Sequence, residues 1–228
     1  AQILNHPQRI SIGLMRPVDT VSHALYPVAA FQKTQLLLAL LRSTDTKSIL
    51  IFTRTKYRAE RLTQQISRAG YRVTSLHGNL SQEQREAALS GFKRGTYQVM
   101  VATDIAARGL DVLSISHVIN YDMPNTADDY LHRIGRTGRA KHTGVAFTFT
   151  TPQDWEMVSV LEKIMGQALS RQTLDGFHYA PYHQQPGRPP QRWSRNVCQP
   201  PGQRVRESAI PHPTNNPSED STAEVDKG

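Results

Sequence analysis

Cysteine is almost missing from this chain: Cys198 is the single one in 228 residues. One thiol excludes a disulfide framework and a zinc site built on several cysteines, and it suits a reducing, cytoplasmic compartment. The nine histidines show no metal-ligand spacing beside carboxylates or cysteines, so no metal site is expected. No run of 18 apolar residues occurs, which argues against a membrane-spanning helix and predicts no membrane partner. The N-terminus has no basic-then-apolar leader pattern. It begins with Ala1 and not Met, so a piece of a longer protein is expected. Lysine is scarce, with seven residues against twenty arginines, and no internal repeat is found.

Apolar residues make up 38% of the chain, enough for one core, while a mean hydropathy of −0.50 requires a polar segment to dilute it. The formal charge is +8. Carried mostly by arginine, whose planar fork suits bidentate phosphate contacts, that charge makes polyanions the natural partners to consider. Charge alone is equally satisfied by a solvated basic surface.

Residues 1–20, with Pro7, Gly13 and Pro17, read as a connector. From Val21 onward short apolar runs alternate with amphipathic stretches. Strands are predicted at 21–28, 48–52, 72–76, 97–102, 117–121 and 145–149, and helices at 31–41, 56–69, 81–93 and 126–133. Ser81 with Gln84 forms a capping box. Thr151, Pro152 and Asp154 open a last helix. The 48–52 run, Ser-Ile-Leu-Ile-Phe, is continuous, as in a strand buried on both faces. Regular alternation of this kind predicts an α/β fold, a parallel sheet flanked by helices on both faces. Ligands in such sheets sit beyond the carboxyl ends of the strands. After Tyr179 the character changes. Nine of the fourteen prolines fall in 180–228, arginines are interleaved with Pro, Gln and Gly, and the end turns acidic. This composition predicts a disordered tail whose arginines either add salt-sensitive affinity for RNA or form a mere solvated extension.

Four strings carry chemistry. The sharpest is His132-Arg133-Ile134-Gly135-Arg136-Thr137-Gly138-Arg139, whose arginines recur every third residue with glycines between. Arg136 and Arg139 pointing the same way would suit a triphosphate whose charge shifts during cleavage. The second, Val101 to Asp111, places Thr103 and Asp104 where a buried strand ends and Asp111 seven residues beyond Asp104. Thr103 and backbone N–H groups suit phosphate oxygens, and Asp111 suits ribose hydroxyls; equally, Asp104 caps a short helix and Asp111 pairs with a basic neighbour. The third, Leu76-His77-Gly78 to Arg85, offers a close backbone approach at Gly78 and a cation one turn into the next helix. The fourth and weakest is Phe52-Thr53-Arg54-Thr55. Asp128 and Asp129 are adjacent on a helix, which is poor spacing for a paired acid and base.

In this order the four strings resemble the second RecA-like domain of a DEAD-box RNA helicase, over about Val21 to Tyr179. His132 favours the DEAD-box group over related helicases, and the general wording is similar to bacterial members. The resemblance implies a RecA-like fold and the following roles. Arg136 and Arg139 would be catalytic arginine fingers on the γ-phosphate of ATP. Asp111 would touch the ribose. His132 would contact the first RecA-like domain across the nucleotide cleft. Arg133 would brace the loop on a nearby carboxylate. Thr55, Gly78, Arg85, Thr103 and Asp104 would line the RNA backbone, reading shape and 2′-hydroxyls in place of sequence.

The 228 residues contain no GxxxxGK[ST] phosphate loop and no Asp-Glu-Ala-Asp string. ATP and Mg2+ are therefore expected to be held mainly by a first RecA-like domain, with 1–20 as the exit from it, 21–179 as the helicase C-terminal domain and 180–228 as tail. This chain alone is expected to be inactive. Two alternatives stay open at this point: an RNA-binding module that works without ATP, and a DNA translocase of the same superfamily.

Overall fold

The computed structural model describes residues 21–44, 48–108, 115–138 and 144–180. All of them belong to one compact unit, Ala1–Cys198; a second unit, Gln199–Gly228, holds none of them. The connector 1–20 and the tail beyond Ala180 lie outside the described residues, as do Asp111 and Arg139.

Seven strands form one sheet, β1 (Val21–Pro27), β2 (Ile49–Thr53), β3 (Val73–Leu76), β4 (Val99–Thr103), β5 (His117–Asn120), β6 (Gly144–Thr150) and β7 (Ser170–Arg171). Their order is β3-β4-β2-β5-β6-β1-β7, and every pairing is parallel. The helices are α1 (Lys33–Ser43), α2 (Lys56–Arg68), α3 (Gln82–Lys93), α4 (Asp104–Ala107), α5 (Ala127–Ile134) and α6 (Trp155–Met165).

Pleating sorts each strand between two layers. Ile49 and Ile51 of β2 pack with Leu36, Leu37 and Leu40 of α1 and Leu62 and Ile66 of α2. Leu50 and Phe52 face the other way, toward Phe92 of α3 and Ala106 and Ala107 of α4. Further along that second face, Tyr130, Leu131 and Ile134 of α5 pack with Val158 and Leu161 of α6. All five residues of β2 are buried, which is why a continuous apolar run suits it and an alternating one would not. Leu50 is wholly buried, so Leu50→Ala costs roughly 2–5 kcal/mol.

Side-chain caps fix where the helices begin. Ser81 accepts from the backbone N–H of Gln84 at 3.2 Å and donates its own N–H to the Gln84 side chain at 3.0 Å. Thr126 accepts from Asp129 N–H at 3.1 Å, and Thr55 from Arg58 N–H at 3.2 Å. Two starts differ from the predicted ones. Ala30–Gln32 and Pro152–Asp154 each form one 3-10 turn, so α1 opens at Lys33 and the last helix at Trp155. Asp154 holds the second turn by accepting both the N–H and the hydroxyl of Thr151, at 2.8 and 2.7 Å. The four-residue α4 and the two-residue β7 are too short to leave a period in the sequence.

Because β2 lies between β4 and β5, the loops after these three strands are neighbours at one end of the sheet. In a doubly wound sheet that is where a crevice opens.

Candidate functional site

Helix α5 buries Tyr130, Leu131 and Ile134, and the same inner side carries Arg133, only 2% exposed. A guanidinium so buried requires partners for its whole fork. Nε and Nη2 donate to Oδ1 and Oδ2 of Asp104 at 2.6 and 2.7 Å. Nη1 donates to the carbonyl of Asp122 at 2.7 Å and to the side-chain oxygen of Asn120 at 3.2 Å. The plane lies 5.0 Å from the centroid of Phe52. Asp104 follows β4, Phe52 belongs to β2, and Asn120 and Asp122 end β5. One side chain therefore ties together the carboxyl ends of three neighbouring strands, and its donors are committed there.

Beside this hub opens a cleft of ≈ 270 Å³, lined by Phe52, Asp104, Ala107, Arg108, Asp129, His132, Arg133 and Arg136. Its positive side comes from Arg108 and Arg136, and His132 adds an imidazole. His132 is exposed and lies 3.6 Å from Asp128, one turn back. Arg108 approaches Asp129 at 3.7 Å. Arg136 follows α5 in the turn that leads to Thr137 and Gly138. Thr137 is buried and anchors that turn, donating its hydroxyl to the carbonyl of Ile115 at 2.6 Å. Gly138 adopts φ +70°, a region that L side chains avoid. A Cβ on Gly144 would overlap the Thr137 side chain and the Gly138 backbone nitrogen. The glycines thus let the turn close against the start of β6.

The residues expected along an RNA backbone occupy the same end of the sheet. Thr55 is the exposed N-cap of α2. Gly78 is exposed after β3, with φ outside the left-handed region, and a Cβ added to it meets nothing within 4 Å. Thr103 precedes α4 and makes no side-chain capping bond. Two of the set are engaged internally. The Asp104 carboxylate is held by Arg133, and Nη2 of Arg85 donates to the carbonyl of Ala106 at 2.5 Å.

Sequence reasoning passed over Asp122, Lys33 and the partners of His77. Asp122 is buried and takes Arg58 at 2.6 Å, the backbone N–H of Arg54 at 2.9 Å and Lys33 at 3.8 Å. Burial, offset in part by Asp122, lowers the pKa of Lys33. Nothing in a single carboxylate after a strand signals this role. His77, 2% exposed, accepts from Asn79 N–H through Nδ1 at 3.4 Å and lies 3.4 Å from Glu60 through Nε2. Among the described residues no helix is long and apolar enough to cross a membrane. No cluster of three or more His, Cys, Asp or Glu side chains among them is fit to hold a metal ion.

Known proteins are similar to this chain in sequence and fold. The model for the helicase conserved C-terminal domain matches residues 32–141. The ATP-dependent rRNA helicase RRP3 of Candida glabrata is 41% identical over 173 residues, 75% of this chain and 35% of that protein. The chain thus spans about a third of the length of the curated relatives it matches. Among solved structures, the E. coli DEAD-box protein SrmB, bound to a regulator of ribonuclease activity, superposes with a TM-score of 0.65 at 31% identity, covering 71% of this chain and 98% of that one. Dbp5 of S. cerevisiae, bound to RNA and ADP BeF3, gives a TM-score of 0.62 at 31% identity, covering 65% of this chain and 40% of that one. With its all-parallel sheet and its arginine-rich turn beside the central strands, this chain belongs to the DEAD-box helicase family, as its C-terminal RecA-like domain.

Proposed function

We propose that this chain is the second motor domain of an ATP-dependent RNA helicase, acting in the cytoplasm. On the wording of its motifs we place it among bacterial members. The observation that carries the reading is the commitment of Arg133. Arg133 and Arg136 both line the cleft, and because the Arg133 fork is taken by Asp104, Asn120 and Asp122, the reading gives the phosphate role to Arg136. Arg136 and Arg139 then reach the γ-phosphate of ATP, neutralising charge as the terminal phosphoryl group departs. Asp111 touches the ribose, and His132 contacts the first RecA-like domain across the cleft. Magnesium enters with the nucleotide as part of the substrate. The described residues offer it no ligand set, and no step here is assigned to it.

Thr55, Gly78, Arg85, Thr103 and Asp104 form the RNA side. Thr55, Gly78 and Thr103 face the strand directly. Arg85 and Asp104 act through shape: Arg85 donates to the Ala106 carbonyl and Asp104 accepts from Arg133, which fixes α4 beside Thr103. Gly78 supports this assignment, because its own fold does not need a glycine there. Contacts to phosphate and sugar make unwinding independent of sequence. ATP and RNA together close two domains on one composite site, and hydrolysis reopens it.

Purified intact protein should hydrolyse ATP, with RNA stimulating turnover far more than DNA, and the 228-residue chain alone should hydrolyse none. RNA-stimulated turnover by the isolated chain, free of contaminants, would overturn the reading, as would equal stimulation by DNA.

A further inference from the structure

The loop after β5 holds a buried carboxylate with three basic partners, and the proposed function leaves that carboxylate without a task. Asp122 is 4% exposed. Its Oδ1 accepts from Nη1 of Arg58 at 2.6 Å and faces Nζ of Lys33 at 3.8 Å. Its other oxygen accepts the backbone N–H of Arg54 at 2.9 Å. These partners come from α2, α1 and the loop after β2. Its carbonyl accepts from Arg133, the hub of the arginine-rich helix, at 2.7 Å.

A carboxylate present only to neutralise Lys33 has no need of two further donors, one on the loop after β2 and one in the first turn of α2. Lys33 is already received by the carbonyl of Tyr121 at 3.0 Å. The two extra donors bracket one residue. Arg54 immediately precedes Thr55, and the backbone N–H of Arg58 is the one that Thr55 caps, at 3.2 Å. Buried Thr53 donates its hydroxyl to the Thr55 carbonyl at 3.3 Å, and the Arg54 guanidinium reaches the Met123 carbonyl at 3.3 Å. Arg54, Thr55 and Arg58 are themselves exposed, and Asp122 is the buried charge that holds them. Asp122 therefore grips the Thr55 turn from the strand side and from the helix side at once, from a buried anchor.

We propose that Asp122 is a positioning residue: its carboxylate holds the Thr53–Lys56 turn in the shape that receives an RNA phosphate, without itself touching RNA. The inference rests on the RNA reading of Thr55 given above. Its charge matters as well as its oxygens. An uncharged amide can still accept from Arg54, but it releases the Arg58 guanidinium and loosens the first turn of α2.

The test uses the 228-residue chain and a fluorescent single-stranded RNA oligonucleotide, followed by anisotropy without nucleotide, with thermal unfolding in parallel. Asp122→Asn should remain folded and weaken RNA binding about tenfold, the equivalent of one charge-assisted hydrogen bond. Arg58→Gln should lose a similar factor, Arg58→Lys should recover part of it, and the double variant should bind no more weakly than Asp122→Asn alone. Amide exchange at Thr55 and Lys56 should quicken in both single variants. If Asp122→Asn fails to fold, the Arg58 pair and the exchange rates decide the matter. Wild-type affinity in folded Asp122→Asn, or losses that multiply in the double variant, would overturn the inference; multiplying losses would make Arg58 a direct RNA contact. Absence of RNA binding by the wild-type chain would remove the RNA reading too, an outcome distinct from intact binding that the variants leave untouched.

Discussion

Arg133 grips both carboxylate oxygens of Asp104, Nε to Oδ1 at 2.6 Å and Nη2 to Oδ2 at 2.7 Å, across 29 positions of sequence. The pair joins α5 to the start of α4, directly after β4, and the third guanidinium nitrogen joins both to β5. Lysine cannot reproduce that geometry, because its ammonium is a point charge without a fork. Arg133→Lys strands one oxygen of Asp104 together with acceptors at Asn120 and Asp122. Urea unfolding should show a loss of about 1–3 kcal/mol, as for leaving buried acceptors without a donor. A loss below about 0.5 kcal/mol, ordinary for surface changes, would contradict the hub.

Acid should weaken the fold through two histidines. Burial pushes His23 and His117 down to about 4 from 6.5. His23 stacks on Tyr130 at 6.2 Å, and His117 lies 5.5 Å from Phe147, its Nδ1 buried without a partner among the described residues. The unfolded chain takes up protons below pH 6.5 while the folded one does not until about pH 4. Their contribution is therefore complete above pH 6.5 and is lost between there and pH 4. Partial exposure trims it to about 2 kcal/mol for each residue. Denaturant midpoints should fall from pH 7 to pH 5, and His117→Asn should flatten that decline. An unchanged decline in the variant would remove His117 from the account.

Gly78 separates folding from binding. Its φ is ordinary and a Cβ meets open space, so Gly78→Ala should change stability by less than about 0.5 kcal/mol. On the RNA role proposed for Gly78 the added methyl obstructs the backbone's approach, and affinity for single-stranded RNA should drop several-fold at matched salt. Equal affinity in the two proteins would take Gly78 off the RNA side.

Much of the fold was legible because its signals are local. The unbroken Ser48–Phe52 run marked a strand buried on both faces, and Ser81 with Gln84 marked a helix start within one turn. Alternation of elements carried the parallel sheet. What stayed hidden is long-range. No pattern announces that β1 would lie between β6 and β7, or that Asp122 would collect Arg54, Arg58 and Lys33 from 68, 64 and 89 positions away. The motif strings located the end of the sheet where the candidate site lies. They did not say which polar groups would be consumed internally. Arg85 and Asp104 read in sequence as ready for a ligand, and in the fold they hold Ala106 and Arg133. Asp111 and Arg139 lie outside the described residues.

ATP turnover of the intact protein carrying Arg136→Ala or Arg139→Ala tests the central claim most directly. Each variant should lose about a thousandfold in RNA-stimulated turnover, as for removal of an arginine finger, with RNA affinity in the absence of nucleotide little changed. Near-normal turnover in both would contradict the account.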